Sequence, residues 1–184
     1  SGKRAGRSGR GSPVHSVGLT VDFARGHRHM KLEQLPVTGR ESKEQLSPQM
    51  RALSEFYQAL NNRDLELMAR NWAQTDEAVM DNPVGGIKRG WHEIQAVYAQ
   101  IFSRPEPFWF EFHDYSFHEA GEVFYVIGRE RGEYRSGQSE LKMAIRTTRL
   151  FRLIEGEWKQ VHHHGSVDNA QLLGQYQRAV RGTE

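Results

Sequence analysis

The chain contains no cysteine, which excludes a disulfide framework, a thiolate metal site and a cysteine nucleophile. That absence fits a reducing compartment, and a cytoplasmic location is expected. No run of 18 apolar residues occurs, so no membrane-spanning helix is expected, and the basic start lacks the apolar stretch of a secretory signal. Positive charge is missing where a nucleic-acid-binding domain would need it. Residues 1–46 hold nine Lys/Arg against four Asp/Glu, which leaves 16 basic and 19 acidic residues for positions 47–184. The basic pI of about 9.0 therefore belongs to the N-terminal stretch, and neither nucleic acid nor membrane is an expected partner.

What is present suits one domain with a tail. The 184 residues have a mean hydropathy of −0.73 and are 37% hydrophobic, yet nine Phe, six Tyr and four Trp suffice for a packed interior. The opening Gly/Ser/Arg-rich segment has no apolar periodicity and cannot repay the entropy of ordering. Residues 1–46 are expected to be a flexible basic tail and linker, open between leader, upstream read-through and a genuine arm, with the domain at 47–181. No internal repeat of 20–50 residues is visible.

Ser47-Pro48 is a helix start, followed by Met50, Leu53, Phe56, Tyr57 and Leu60 at helical spacing. Asp64 can cap a second helix carrying Leu65, Met68, Ala69 and Trp72 on one stripe. Ala78–Asp81, the turn Pro83–Gly86 and Ile87–Arg89 read as a short hairpin. A third helix follows Gly90, with Trp91, Ile94, Tyr98 and Ile101 on one face. Residues 108–117, 122–134, 140–154 and 157–167 are β-rich runs joined by short turns, so they predict an antiparallel meander. A last helix is expected over 169–180, at the rim. Three N-terminal helices on one face of a curved sheet make an α+β cone, whose open end favours a pocket.

Several segments carry a family likeness: Phe56 to Leu65, Trp72-Ala73, Asp81-Asn82-Pro83-Val84-Gly85, Gly90-Trp91-His92-Glu93-Ile94, and Gly156 to Ser166 with its W-x-x-V-H-x-H-x-S ending. Over residues 47–170 the chain resembles the SnoaL-like branch of the nuclear transport factor two superfamily. The ending is also similar to the association domain of calcium/calmodulin-dependent kinases. The resemblance implies a cone-shaped α+β barrel, often a homodimer through the outer sheet face, in a superfamily of isomerases, cyclases, hydrolases and non-catalytic assembly domains. In the ketosteroid isomerases it implies a general base at the Asp before Pro, where this chain has Asn82, and an oxyanion-binding Tyr where it has Phe56 beside Tyr57. That isomerase reaction is not expected.

His162 and His164 lie two apart on a strand and share a face opposite His163. They could line the pocket, shuttle a proton or supply two metal ligands; no third ligand has a recognisable spacing, so neither metal nor other cofactor is expected. Arg146 would grip a carboxylate or carbonyl if it faced the cavity, or form a surface ion pair if it did not. Glu130 could be a buried acid or the partner of Arg146. Trp72, Trp91 and Tyr98 read first as core, and Tyr57 as a polar handle.

The expected function is binding of a partly apolar small molecule by a homodimer, with proton transfer beside a carbonyl as the chemistry, in the manner of an isomerase or cyclase. His162, His164 and Tyr57 would be catalytic. Trp72, Asp81, Asn82, Trp91, Tyr98, Glu130 and Arg146 would contact the ligand. The alternative is a non-catalytic dimerisation or association module.

Overall fold

The computed structural model describes Gly2, residues 35–136 and residues 139–181. Most of the expected tail, residues 3–34, lies outside the described residues. Helix α1 (Pro48–Asn62) starts where Ser47 Oγ accepts from the Met50 amide at 3.2 Å and ends at Arg63 in a left-handed conformation. Asp64 caps α2 (Leu65–Asn71) by accepting from the Leu67 amide at 2.8 Å. After the hairpin β1 (Val79–Asp81) and β2 (Ile87–Arg89) comes α3 (Gly90–Phe102), then the long strands β3 (Phe108–Ala120), β4 (Val123–Ser136), β5 (Ser139–Ile154) and β6 (Glu157–Val167), and finally α4 (Ala170–Arg181).

The strands form one curved, unclosed sheet in the order β2-β1-β6-β5-β4-β3. The meander is antiparallel as expected, but β1 joins β6 in parallel, with Met80 opposite His163. β2, α3 and strands β3 to β5 separate these two strands in sequence, so no tight turn dictates their relative direction. The concave face, under the helices, carries the core: Phe110, Phe112, Phe124, Val126, Met143, Ile145 and Phe151 meet Leu53, Phe56, Met68, Trp72 and Ile94.

Two β-bulges set which side chains reach that face. In β3 the register on β4 shifts between His113 and Ser116, at Asp114 with its positive φ of 49°, so the inward row passes from Phe112 to Tyr115. In β6 the register on β5 shifts between Gln160 and His162, leaving Val161 as the extra residue. Gln160 faces inward before this bulge and His163, Gly165 and Val167 are the buried positions after it.

Residues 35–46, expected to be linker, are packed on the domain. Val37 exchanges two backbone hydrogen bonds of 2.9 Å with Phe112 on the edge of β3 and is 3% exposed. Gly39, at φ +83°, lies so close to α1 that a Cβ would stand 2.3 Å from the Gln58 nitrogen. Glu41 then accepts from Ser54 Oγ at 2.5 Å. The segment is a strap over the sheet edge.

Candidate functional site

A cavity of about 160 Å³, open to solvent on one side, lies between α1, α3, α4 and the concave sheet. Its wall is mostly apolar and aromatic, including Phe56, Tyr98, Phe110, Tyr134 and Tyr176. Burial pushes the phenols of Tyr98 and Tyr176 up to about 12, so both remain neutral at ordinary pH. Tyr176 meets Tyr134 edge-to-face at 5.6 Å, which brings α4 over the wall.

At the inner end stands a buried ion pair. Arg149, on the inward row of β5, is 1% exposed and donates to Glu130, to Gln160 Oε1 at 3.0 Å and, through Nε, to Tyr57 Oη at 3.3 Å. Tyr57 in turn donates to Glu130 Oε1 at 3.0 Å. The guanidinium lies 3.4 Å from the centre of the Phe56 ring, a cation–π contact that replaces lost hydration. Glu130 is flanked on its own face by Gly128 and Gly132, which leave the space that the Phe112 and Phe110 rings occupy.

Beside this pair, His163 lines the cavity at 5% exposure, and both its ring nitrogens are buried without a hydrogen-bond partner. Desolvation, reinforced by the Arg149 charge and the neighbouring histidines, holds its pKa well below the ordinary 6.5. The imidazole is therefore neutral, with one N–H donor and one acceptor to offer. The sign of the pH effect follows. Below about pH 6.5 the unfolded chain takes up a proton that the native one refuses, so stability falls from there towards the depressed native value. Urea midpoints measured from pH 7 to pH 5 are expected to decline, and His163→Phe to flatten that decline; an unchanged slope would contradict the assignment.

The family model for the SnoaL-like domain matches residues 50–169. The chain belongs to that family. Solved structures agree on the fold: an NTF2-like family protein from Streptomyces avermitilis superposes with a TM-score of 0.60 at 20% identity, covering 65% of this chain and 93% of the other. The CaMKII hub of S. rosetta gives 0.55 at 16% identity, covering 65% and 94%. The F-box protein SKIP8 of Arabidopsis thaliana is 24% identical over 145 residues, 77% of this chain and 60% of that protein. This SnoaL-like chain thus spans less than two thirds of that relative.

The SnoaL-like cavity brings together only part of the residues singled out from sequence. Asn82, Tyr98 and Glu130 line it. Tyr57 and Trp72 are fully buried behind it, and Trp91 packs at the edge of the core. His162, His164, Asp81 and Arg146 lie on the other side of the sheet. The side chain of His164 is 53% exposed and its Nδ1 lies 3.1 Å from Asp81 Oδ2; that of Arg146 is 61% exposed and pairs with Asp168 at 3.6 Å. The reason for the inversion is the bulge at Val161. Counting by twos from the inward Gln160 places His162 and His164 inside, and the extra residue moves His163 there instead. Glu130 pairs with Arg149 and not with Arg146.

The SnoaL-like site also contains Arg149 and His163, which are not among the residues expected from the sequence. Arg149 sits on the same alternation as Met143, Ile145, Thr147 and Phe151, all of them buried. A single charge within an otherwise uncharged row is its signal. His163 had none, since a bulge is not marked by residue type here.

Proposed function

We propose that this SnoaL-like domain binds a small, partly apolar molecule in the cone cavity, with the molecule's polar group on His163. The observation that carries this reading is the pair of unpartnered, buried His163 nitrogens in the wall of an otherwise apolar cavity. A native polar group left unsatisfied costs about 1–3 kcal/mol, which a ligand hydrogen bond would recover. Binding is favoured over proton abstraction, because Arg149 and the low-dielectric surroundings make an imidazolium at His163 costly. The proton-transfer roles expected for His162, His164 and Tyr57 lose support on geometry: two face away from the cavity, and the Tyr57 proton is given to Glu130.

Toluene is the probe for the cavity itself. Saturable binding to the full chain is expected by NMR shift perturbation. Ile145→Trp should fill the space and abolish binding while circular dichroism stays native. Failure of toluene to bind, or binding that survives the substitution, would overturn the reading.

A second reading, assembly through the outer sheet face as a homodimer, is favoured by Ile127, 48% exposed on that face of β4. The likeness to a CaMKII hub points the same way. Light scattering on the full chain tests it, and a monomer would remove it.

A further inference from the structure

We infer that the ligand of this cavity is an uncharged, single-ring-sized molecule bearing a hydroxyl or carbonyl oxygen, and that His163 is the residue that selects it. The inference rests on the cavity-binding reading and goes beyond it by fixing the ligand's charge and functional group.

Charge is decided by the wall. Two cationic and two anionic side chains line the cavity, Arg104 and Arg149 against Glu106 and Glu130, and the one further titratable base, His163, has no carboxylate partner. The deepest charges, Arg149 and Glu130, already neutralise one another in direct contact, and the guanidinium also spends donors on Tyr57 and Gln160. A carboxylate at the inner end would lose its hydration and meet a cation already paired with Glu130. An ammonium would meet Arg149. Neither charge is repaid there.

Functional group is decided by His163. A neutral imidazole offers one N–H and one lone pair, and neither is used by the protein. A hydroxyl oxygen satisfies either tautomer, and a carbonyl oxygen satisfies the one that presents N–H. A pure hydrocarbon satisfies neither and leaves the imidazole as it stands. Size is decided by volume: about 160 Å³ is close to the cavity of roughly 150 Å³ that admits benzene.

A para-substituted toluene series on the full chain at pH 7 tests the inference: toluene, p-cresol, p-toluate and 4-methylbenzylammonium, of which p-cresol keeps its proton as tyrosine does. p-Cresol is expected to bind at least about tenfold more tightly than the other three, the equivalent of one hydrogen bond. The imidazole nitrogen resonances of His163 should move several times further with p-cresol than with toluene, a readout that needs no variant. In His163→Phe the p-cresol advantage should vanish, the ratio of the toluene and p-cresol affinities falling to about one. Tightest binding by p-toluate or the ammonium would overturn the neutral-ligand inference and leave the cavity reading standing; equal binding of p-cresol and toluene, or a p-cresol advantage that outlasts His163→Phe, would overturn the inference together with the role of His163 and leave only a cavity that binds apolar molecules. Failure of toluene and p-cresol alike would overturn both.

Discussion

Replacing Arg149 by leucine is expected to cost the domain about 3–5 kcal/mol, because it leaves Glu130 buried at 5% exposure without its cation. The loss has four parts. Glu130 keeps only the Tyr57 hydroxyl, Gln160 Oε1 and Tyr57 Oη each lose a donor, and the Phe56 ring loses the guanidinium above it. At roughly 2–4 °C per kcal/mol for a chain of this size, the melting temperature should fall by about 6–20 °C. Urea titration and calorimetry measure it. The double variant Arg149→Leu with Glu130→Leu is expected to recover much of the deficit, since a buried pair is dear to break and cheap to replace as a unit. A single-variant cost near zero, or a double variant as unstable as the single, would show that the carboxylate finds water and that the cluster is not sealed.

The second large effect is expected at Gly132. Alanine in place of glycine within a strand ordinarily stabilises by a few tenths of a kcal/mol to about 1, through reduced freedom of the unfolded chain. Here the sign reverses. A Cβ would stand 2.2 Å from the Trp109 carbonyl oxygen and 2.6 Å from the Phe110 ring, and backbone on a paired strand cannot swing aside. A loss of about 3 kcal/mol is expected by urea denaturation. Because Phe110 lines the cavity, toluene binding should weaken with it. Gly174 in α4 serves as the control: the nearest atom to a Cβ there is the movable end of Arg178, at 3.4 Å, so Gly174→Ala should be neutral or stabilising. Equal effects at the two positions would mean that the β3–β4 spacing relaxes freely.

How far the sequence led can be judged from particular elements. Ser47-Pro48 and Asp64 marked the two helix starts through capping chemistry that is local and therefore readable. The four long strands followed from composition and short turns, and their antiparallel order from connections too brief to cross over. Non-local facts were not readable. The parallel docking of β1 on β6 depends on packing between segments some eighty residues apart. The strap at Val37 has little apolar pattern of its own and is held by two backbone bonds and a close approach at Gly39. The site suffered most from phase. Asn82, Tyr98 and Glu130 line the cavity, whereas the bulge at Val161 turns His162 and His164 to the other face and strand alternation puts Arg149, not Arg146, on the inward row.

The run His162-His163-His164 around the Val161 bulge has a consequence for tolerance to insertion and deletion. Strand register is usually unforgiving, because a slip of one residue exchanges every inward side chain for its outward neighbour. Three identical residues in succession suspend that rule locally. A length change in the turn before β6 that slid the strand one step in either direction along β5 would bring His162 or His164 to the place His163 holds, and the cavity wall would still present an imidazole.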